Sequence, residues 1–286
     1  MNVAVRSNER SVTVDGLKVR YLEEGGGVPA LLVHGTSLGS SADVFGRNLH
    51  ALAAGGVRAI AVDLPGFGQS DAPADVNAPS KRFLLRFMDA LGLQRAALIG
   101  HSSAGTPVMR IALENPERVS HLIVLGTGSL LPPLETDVGK VGGREGAAQA
   151  RLEERMVKSE PTLEDTRALL EANLFNHALI TDEELKLRHR NSIGACFETF
   201  VARHAAVQEK GAKKDSLPLW QRYNELKMPL LLIYGKNDRG RAAERAALLK
   251  EWVPQLELHL ADGCKHLVPW DAAELFHRLA VPFLTR

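Results

Sequence analysis

The sequence predicts an α/β protein built on a mainly parallel sheet that is interrupted by a helical insertion. Three observations carry that prediction. Short apolar runs alternate with segments of helical periodicity as far as residue 128. Residues 129–217 then offer helical stretches without an equally clear buried strand, and strand signals resume at Pro229. Runs that are apolar throughout mark strands covered on both faces, which is the habit of parallel sheets with crossover helices. The chain therefore divides into a core made of 1–128 and 218–286 and a helical cap at 129–217. A helical layer that merely covers the core is the alternative reading of the middle segment.

Each element has its own local signal. Arg10–Val14 and Leu17–Leu22 flank Asp15-Gly16, a hairpin dipeptide between alternating runs. Ala30–Val33 and Val57–Val62 read as buried strands, with a helix expected over 42–54 between them. Phe83, Leu84, Phe87, Met88 and Leu91 recur at helical spacing and stop at Gly92. A strand at 96–99, a helix from Ser103 to about Asn115 and a strand at Leu122–Leu125 complete the first part. In the insertion, helices are expected over 147–158, 162–175, 181–192 and 197–210. Thr181 and Glu184 have the spacing of a capping box. Strands at Pro229–Tyr234 and Leu256–Leu260 and a helix from Ala272 to about Leu284 close the pattern.

Composition excludes several classes. At 286 residues, the chain can bury a large core as one domain with an insertion or as two small ones. Its 35 basic and 34 acidic residues leave a formal charge of +1, which gives no electrostatic case for nucleic acid or an anionic membrane. No apolar run approaches the ~20 residues needed to span a bilayer. Met1–Glu9 lacks the apolar segment of a secretory signal, so the cytoplasm is the expected compartment. Cys196 and Cys264 make neither a disulfide framework nor a metal cluster. The ten histidines show no HExxH pattern, and Gly66-Phe67-Gly68 does not form a phosphate loop. No metal or cofactor is expected. The expected partner is a small-molecule substrate, with homo-oligomerisation left open.

Chemistry is carried by loops that follow strands. Gly100-His101-Ser102-Ser103-Ala104-Gly105 comes after an apolar run and opens a helix. A strand ending in a small-x-Ser-x-small turn exposes a nucleophilic serine, although Ala104 stands where glycine is usual. Ser102 could instead be an ordinary helix cap. Asp238 follows the strand at 229–234, and His266 follows the last strand. Loops at the carboxyl ends of strands converge over one cleft, so these three residues can meet. In that arrangement Ser102 attacks, His266 takes and returns the proton, and Asp238 orients the imidazole. Asp262, His259 and His277 compete for the acid and base roles, but none occupies the expected loop. Backbone N–H groups of Ser103 and Thr36 are the expected oxyanion donors, with Gly35 permitting close approach. Phe175, Phe197, Val268 and Trp270 are candidate pocket residues. Arg188 can pair bidentately with a carboxylate or extend to solvent, and Arg190 is its neighbour on another face.

With these motifs together, the chain resembles the α/β-hydrolase superfamily over nearly its full length. The matching segments are His34-Gly35, Asp63–Ser70, Gly100–Gly105, Gly235–Asp238 and His266. The resemblance implies a central, mostly parallel eight-stranded sheet, an inserted helical cap and a cofactor-independent Ser-His-Asp hydrolase. Epoxide hydrolases and haloalkane dehalogenases carry aspartate at the elbow, where this chain has Ser102. Asn173-Leu174-Phe175, the stretches 179–185 and 188–192, and Cys264–Trp270 look like meta-cleavage-product hydrolases. Those enzymes cleave a carbon–carbon bond in ring-opened aromatic catabolites. By this resemblance, Arg188 binds the acidic end of a carboxylate-bearing substrate, and positions His101 and Phe45 adjoin its dienol core. The chain departs from the family pattern at these two residues and at His34–Gly39, Lys265 and Leu267. A small-molecule carboxylesterase or amidase and a noncatalytic ligand receptor are the alternatives.

Overall fold

A computed structural model of the protein describes residues 8–78, 80–134, 152, 154–210 and 217–286. Eight strands form one sheet: β1 (Glu9–Val14), β2 (Leu17–Glu24), β3 (Val28–Val33), β4 (Val57–Val62), β5 (Ala96–His101), β6 (Val119–Leu125), β7 (Leu230–Gly235) and β8 (Glu257–Ala261). Their order is β1-β2-β4-β3-β5-β6-β7-β8. β2 runs antiparallel to β1 and β4, and every other pair is parallel. The chain leaves β3 toward one side of the sheet and β5 toward the other. A crevice opens at such a switch point, beyond the carboxyl ends of the strands.

Strand side chains sort onto two buried faces. Leu31 and Val33 of β3 pack with helices α2 (Ser80–Ala90) and α3 (Gly105–Glu114). Ala30 and Leu32 pack on the opposite face with α1 (Leu49–Ala54) and the C-terminal helix, α9 (Ala273–Leu284). All four strand residues are fully buried, and each large apolar side chain of this kind contributes about 1.5–3 kcal/mol. This two-sided burial explains why the central strands lack the polar alternation seen in β1.

Between β6 and β7, the described residues include the helices α4 (Leu163–Asn173), α5 (Asp182–Arg190) and α6 (Ala195–Lys210). Thr162 caps α4 in a reciprocal capping box with Asp165. At α5, the Thr181 hydroxyl accepts from Glu184 N–H, while the Glu184 carboxylate lies 3.6 Å from Arg47. Much of the helix expected over 147–158 lies outside the described residues, but residues 152 and 154–156 are helical. Helix α6 docks on the Asp63–Ser70 turn. Arg203 donates to the Pro65 carbonyl at 3.0 Å and stacks 5.2 Å from the Phe67 ring. Gly66 makes that approach feasible, since a Cβ there would lie 2.4 Å from a Thr199 methyl.

Two further helices close the core, α7 (Ala242–Trp252) and the short α8 (Val268–Asp271). The expected single helix over 42–54 is two pieces. Ala42–Phe45 forms one 3-10 turn, capped by Ser41 and tied to Asp63 through Ala42 N–H, and α1 begins only at Leu49. Residues 46–48 form turns between the two pieces, and the Asn48 side chain donates there to the Pro269 carbonyl at 3.0 Å. The strand expected at 96–99 continues through His101, so Ser102 sits at its very end. Among the described residues, no helix is long and apolar enough to cross a membrane.

Candidate active site

Ser102 follows β5 with φ +57°, a left-handed conformation that a serine adopts only when its surroundings enforce it. Close packing supplies the enforcement. A Cβ on Gly35 would lie 2.8 Å from Ser102 Cβ, and one on Gly105 would lie 2.1 Å from Thr127 Oγ1. That Thr127 hydroxyl donates to the Ser102 carbonyl at 2.5 Å. Ala104 is buried with an ordinary helical φ of −69°, so the elbow has no need of glycine there.

The β7 and β8 loops bring the remaining partners. Ser102 Oγ lies 2.8 Å from His266 Nε2. On the other ring edge, His266 Nδ1 donates to Asp238, with distances of 3.2 and 3.1 Å to its two oxygens. Burial pushes the Asp238 carboxyl up, but His266 and Arg239 outweigh it and hold the group below the usual carboxylate range. The carboxylate therefore stays charged and fixes the tautomer that leaves Nε2 able to accept from Ser102. The competitors lie elsewhere: Asp262 is exposed and paired with Lys236, His277 contacts Asn48, and His259 belongs to β8.

The expected oxyanion donors meet a complication. Thr36 N–H donates to Ser103 Oγ at 3.0 Å, and the Thr36 hydroxyl is 3.0 Å from the same atom. An incoming oxyanion must displace the Ser103 hydroxyl to reach Thr36 N–H. His34 beneath this loop is a support. Its Nδ1 donates to Gly35 O at 2.6 Å and its Nε2 accepts from Leu64 N–H at 3.0 Å. Burial lowers its pKa to about 4, consistent with a neutral ring. His101 is likewise buried, and burial with the adjacent His266 lowers its pKa to about 3. Its Nε2–H donates to the His266 carbonyl at 3.0 Å, which ties the elbow to the histidine loop.

Two cavities flank the trio. A narrow one has only about 10 Å³ of free volume and is lined by His34, Gly35, Ser37, His101, Asn173, Arg188 and His266 among others. Arg188 Nη2 lies 3.4 Å from Ser37 Oγ there, whereas Arg190 is exposed. Gly39, at φ +75°, lets the loop approach Arg188: a Cβ would fall 2.9 Å from Nε. The second cavity holds about 520 Å³ and includes Ser102, Ser103, Asp238 and His266 in its wall.

The apolar residues expected as pocket lining stand elsewhere. Phe45, Val268 and Trp270 are buried in the core, where the Trp270 indole donates to Val44 O. Phe197 packs on the Leu38–Met156–Leu169–Phe200 cluster. Phe175 is exposed, beside Gly263. None of the five lines either cavity. Each satisfies apolar burial or loop packing at its own position, which a hydrophobic letter in sequence cannot distinguish from lining a site. Cys264 is fully buried, and burial pushes its thiol up, which disfavours a thiolate nucleophile.

Sequence reasoning passed over the residues that hold the histidine loop. The N–H groups of His266 and Leu267 both donate to the Asn173 carbonyl at 3.1 Å, at the end of α4. Asp271 accepts from the N–H groups of Phe175, Asn176 and Lys265 at 2.8 to 3.0 Å. Arg239 reaches Asn173 Oδ1. Only the adjacency of Arg239 to Asp238 offered a signal; backbone acceptors leave none. Among the described residues, no group of three or more His, Cys, Asp or Glu side chains is placed to hold a metal ion.

Residues 29–273 match the family described as alpha/beta hydrolase fold. The chain belongs to this family. It is similar to a 2-hydroxy-6-oxononadienedioate/2-hydroxy-6-oxononatrienedioate hydrolase of Burkholderia vietnamiensis, at 32% identity over 96% of this chain and 94% of that one. A 2-hydroxymuconate semialdehyde hydrolase of Pseudomonas putida is 29% identical over 99% of this chain and 97% of its own length. Among solved structures, a meta-cleavage product hydrolase from Pseudomonas fluorescens superimposes with a TM-score of 0.76 at 25% identity, covering 96% of this chain and 97% of that one. The α/β-hydrolase fold expected from the alternation of strands and helices and from the matching motifs is the fold observed.

Proposed function

We propose that this α/β-hydrolase is a cofactor-independent serine enzyme that cleaves a carbon–carbon bond in a 2-hydroxy-6-oxo-dienoate, the ring-opened product of aromatic meta-cleavage. One observation carries the reading: the Ser102–His266–Asp238 relay at hydrogen-bond distance, with Arg188 lining a cavity that also touches His266. Relatives named for dienoate hydrolysis, at about 30% identity over most of the chain, support it.

The chemistry follows from those positions. The substrate carboxylate pairs with Arg188. The dienol first becomes a ketone, by loss of the enol proton and gain of a proton at C5. Ser102 Oγ then attacks the C6 carbonyl while His266 Nε2 takes its proton. Negative charge on the carbonyl oxygen is met by N–H of Ser103 and, once the Ser103 hydroxyl moves aside, by N–H of Thr36. The C5–C6 bond breaks, its electron pair delocalises into the C2 ketone, and His266 supports protonation of the leaving fragment. Water, deprotonated by His266, hydrolyses the acyl ester on Ser102. Residues 129–217 act as a cap that limits water access during these steps.

A panel of purified protein, dienoates, aryl esters and matched amides tests this, with Ser102→Ala as control. Dienoate turnover to the carboxylic acid and the shortened dienoate, lost in Ser102→Ala, is the expected result. Ester turnover without dienoate turnover replaces the reading with a carboxylesterase. Tight binding with no turnover replaces it with a ligand receptor.

A further inference from the structure

The peptide unit between Ser102 and Ser103 has two working ends. Its N–H belongs to Ser103 and is the first of the proposed oxyanion donors. Its carbonyl belongs to Ser102 and receives the Thr127 hydroxyl. We infer that Thr127 is a positioning residue for acyl transfer: by gripping the Ser102 carbonyl, its hydroxyl aims the Ser103 N–H at the developing oxyanion. This rests on the proposed roles of Ser102 and Ser103, and it holds for whichever acyl group Ser102 carries.

Peptide geometry makes the link. The atoms of a peptide unit share one plane, and in the trans form C=O and N–H point in opposite directions. Among the described residues no peptide bond is cis, so the rule applies to the elbow. Turning the plane moves both of its ends together. Ser102, at φ +57°, sits in a region that its own sterics disfavour, so outside contacts must set that plane.

Two donors meet the Ser102 carbonyl. One is Gly105 N–H, which is shared with the Ser103 carbonyl, and the other is the Thr127 hydroxyl at 2.5 Å. A shared proton restrains the plane less than one given to a single acceptor. The hydroxyl is also the donor that comes from outside the turn.

Thr127 is itself fixed. Gly126, at φ +64°, turns the chain after β6, and its N–H donates to Ile233 O on β7 at 3.0 Å. The Thr127 carbonyl accepts from the Tyr234 hydroxyl at 3.0 Å and from Leu130 N–H at 3.1 Å. Tyr234 is fully buried, and so is nearly all of Thr127. Gly105 clears the path of the hydroxyl, since a Cβ there would lie 2.1 Å from Thr127 Oγ1. The grip is therefore delivered from a frame bound to β7. Donation to the Ser102 carbonyl also polarises the amide and strengthens its N–H as a donor. With its proton given to that carbonyl, the hydroxyl serves the substrate through the peptide.

The test compares Thr127→Ala and Thr127→Val, which lack the hydroxyl, with Thr127→Ser, which keeps it. Phenylboronic acid is the probe, because its boron bonds to Ser102 Oγ and sets a negative oxygen before the donors. We expect the Ala and Val variants to bind it about 10-fold more weakly, and the Ser variant to stay within about 2-fold of wild type. In dienoate turnover the same loss should fall on kcat, with KM little changed. Urea midpoints establish that each variant is folded under assay conditions. Unchanged boronate affinity in Thr127→Ala, or equal losses in Thr127→Ala and Thr127→Ser, overturns the inference. So does a loss confined to Thr127→Val, which would mark a methyl crowding the Ser102 carbonyl. If dienoates are not cleaved while boronate affinity follows the hydroxyl, the carbon–carbon reading falls and this inference stands. If the wild-type protein neither binds the boronate nor is labelled at Ser102 by a fluorophosphonate, the serine nucleophile falls and the inference falls with it.

Discussion

Under the proposed function the site has a reacting half and a recognising half, and the two are built by different means. Ser102 is set by backbone approach: its left-handed φ, the missing Cβ atoms of Gly35 and Gly105, and the Thr127 hydroxyl on its carbonyl. The groups contributed by α4 and α5 are set by side chains reaching across to the core, such as Asn191 to Ser41 and Arg188 to Ser37. Backbone approach tolerates few residue types, whereas side-chain bridging tolerates many. The first half is therefore the rigid and specified one, and the second is where substrate preference can change without disturbing the chemistry.

The largest expected effect lies in the reacting half. Ser102→Ala and Asp238→Asn should each lower kcat by about 10⁴-fold or more, read in steady-state kinetics, with substrate binding retained in the alanine variant. A drop of less than 10-fold for Asp238→Asn would place the orienting acid elsewhere. Next comes acid sensitivity. His34 and His101 bind protons more weakly folded, near 4 and 3, than at the ordinary 6.5. Below pH 6.5 the unfolded chain takes up these protons and the folded one does not, so stability falls as pH falls. Each ring contributes a loss on the order of 3 kcal/mol by pH 4. Urea midpoints between pH 7 and 4 should show it, and His101→Gln, which keeps a donor to His266 O, should reduce the slope.

Smaller effects sharpen the contrast further. Gly105→Ala should destabilise by about 1–3 kcal/mol through its clash with Thr127, seen as a lowered Tm. In the recognising half, Arg188→Gln should raise KM for a dienoate by about 10-fold and affect neutral aryl esters less. Equal losses on both substrate types would remove its assigned role. The smallest change is expected for Ser103→Ala. Freed of the hydroxyl that occupies Thr36 N–H, the variant should gain a few-fold in affinity for phenylboronic acid, which places an anionic oxygen in the same space. A loss of affinity would instead make that hydroxyl an oxyanion donor.

How much of this was legible follows the same division. The buried strands, the elbow and the loops bearing Asp238 and His266 were readable because burial on both faces and a forced turn restrict residue types directly. The break over residues 46–48 was not, since the contact made there by Asn48 is with Pro269, far along the chain. Phe45, Phe197, Val268 and Trp270 could be named as apolar but not placed, because core and pocket draw on the same letters. Asn173 and Asp271 act through main-chain groups, and any residue supplies those. The engagement of Thr36 N–H by Ser103 joins two loops whose separation in sequence hides the contact.

The paired N–H bonds from His266 and Leu267 to the Asn173 carbonyl have a consequence for engineering. They splice the proton-relaying loop to the last turn of α4, and Asp271 rivets the same junction from the other side. Excising the helical insertion to obtain a minimal hydrolase would thus unmoor the imidazole along with the roof. A transplanted insertion must bring a carbonyl to that spot, whatever substrate it is chosen to admit.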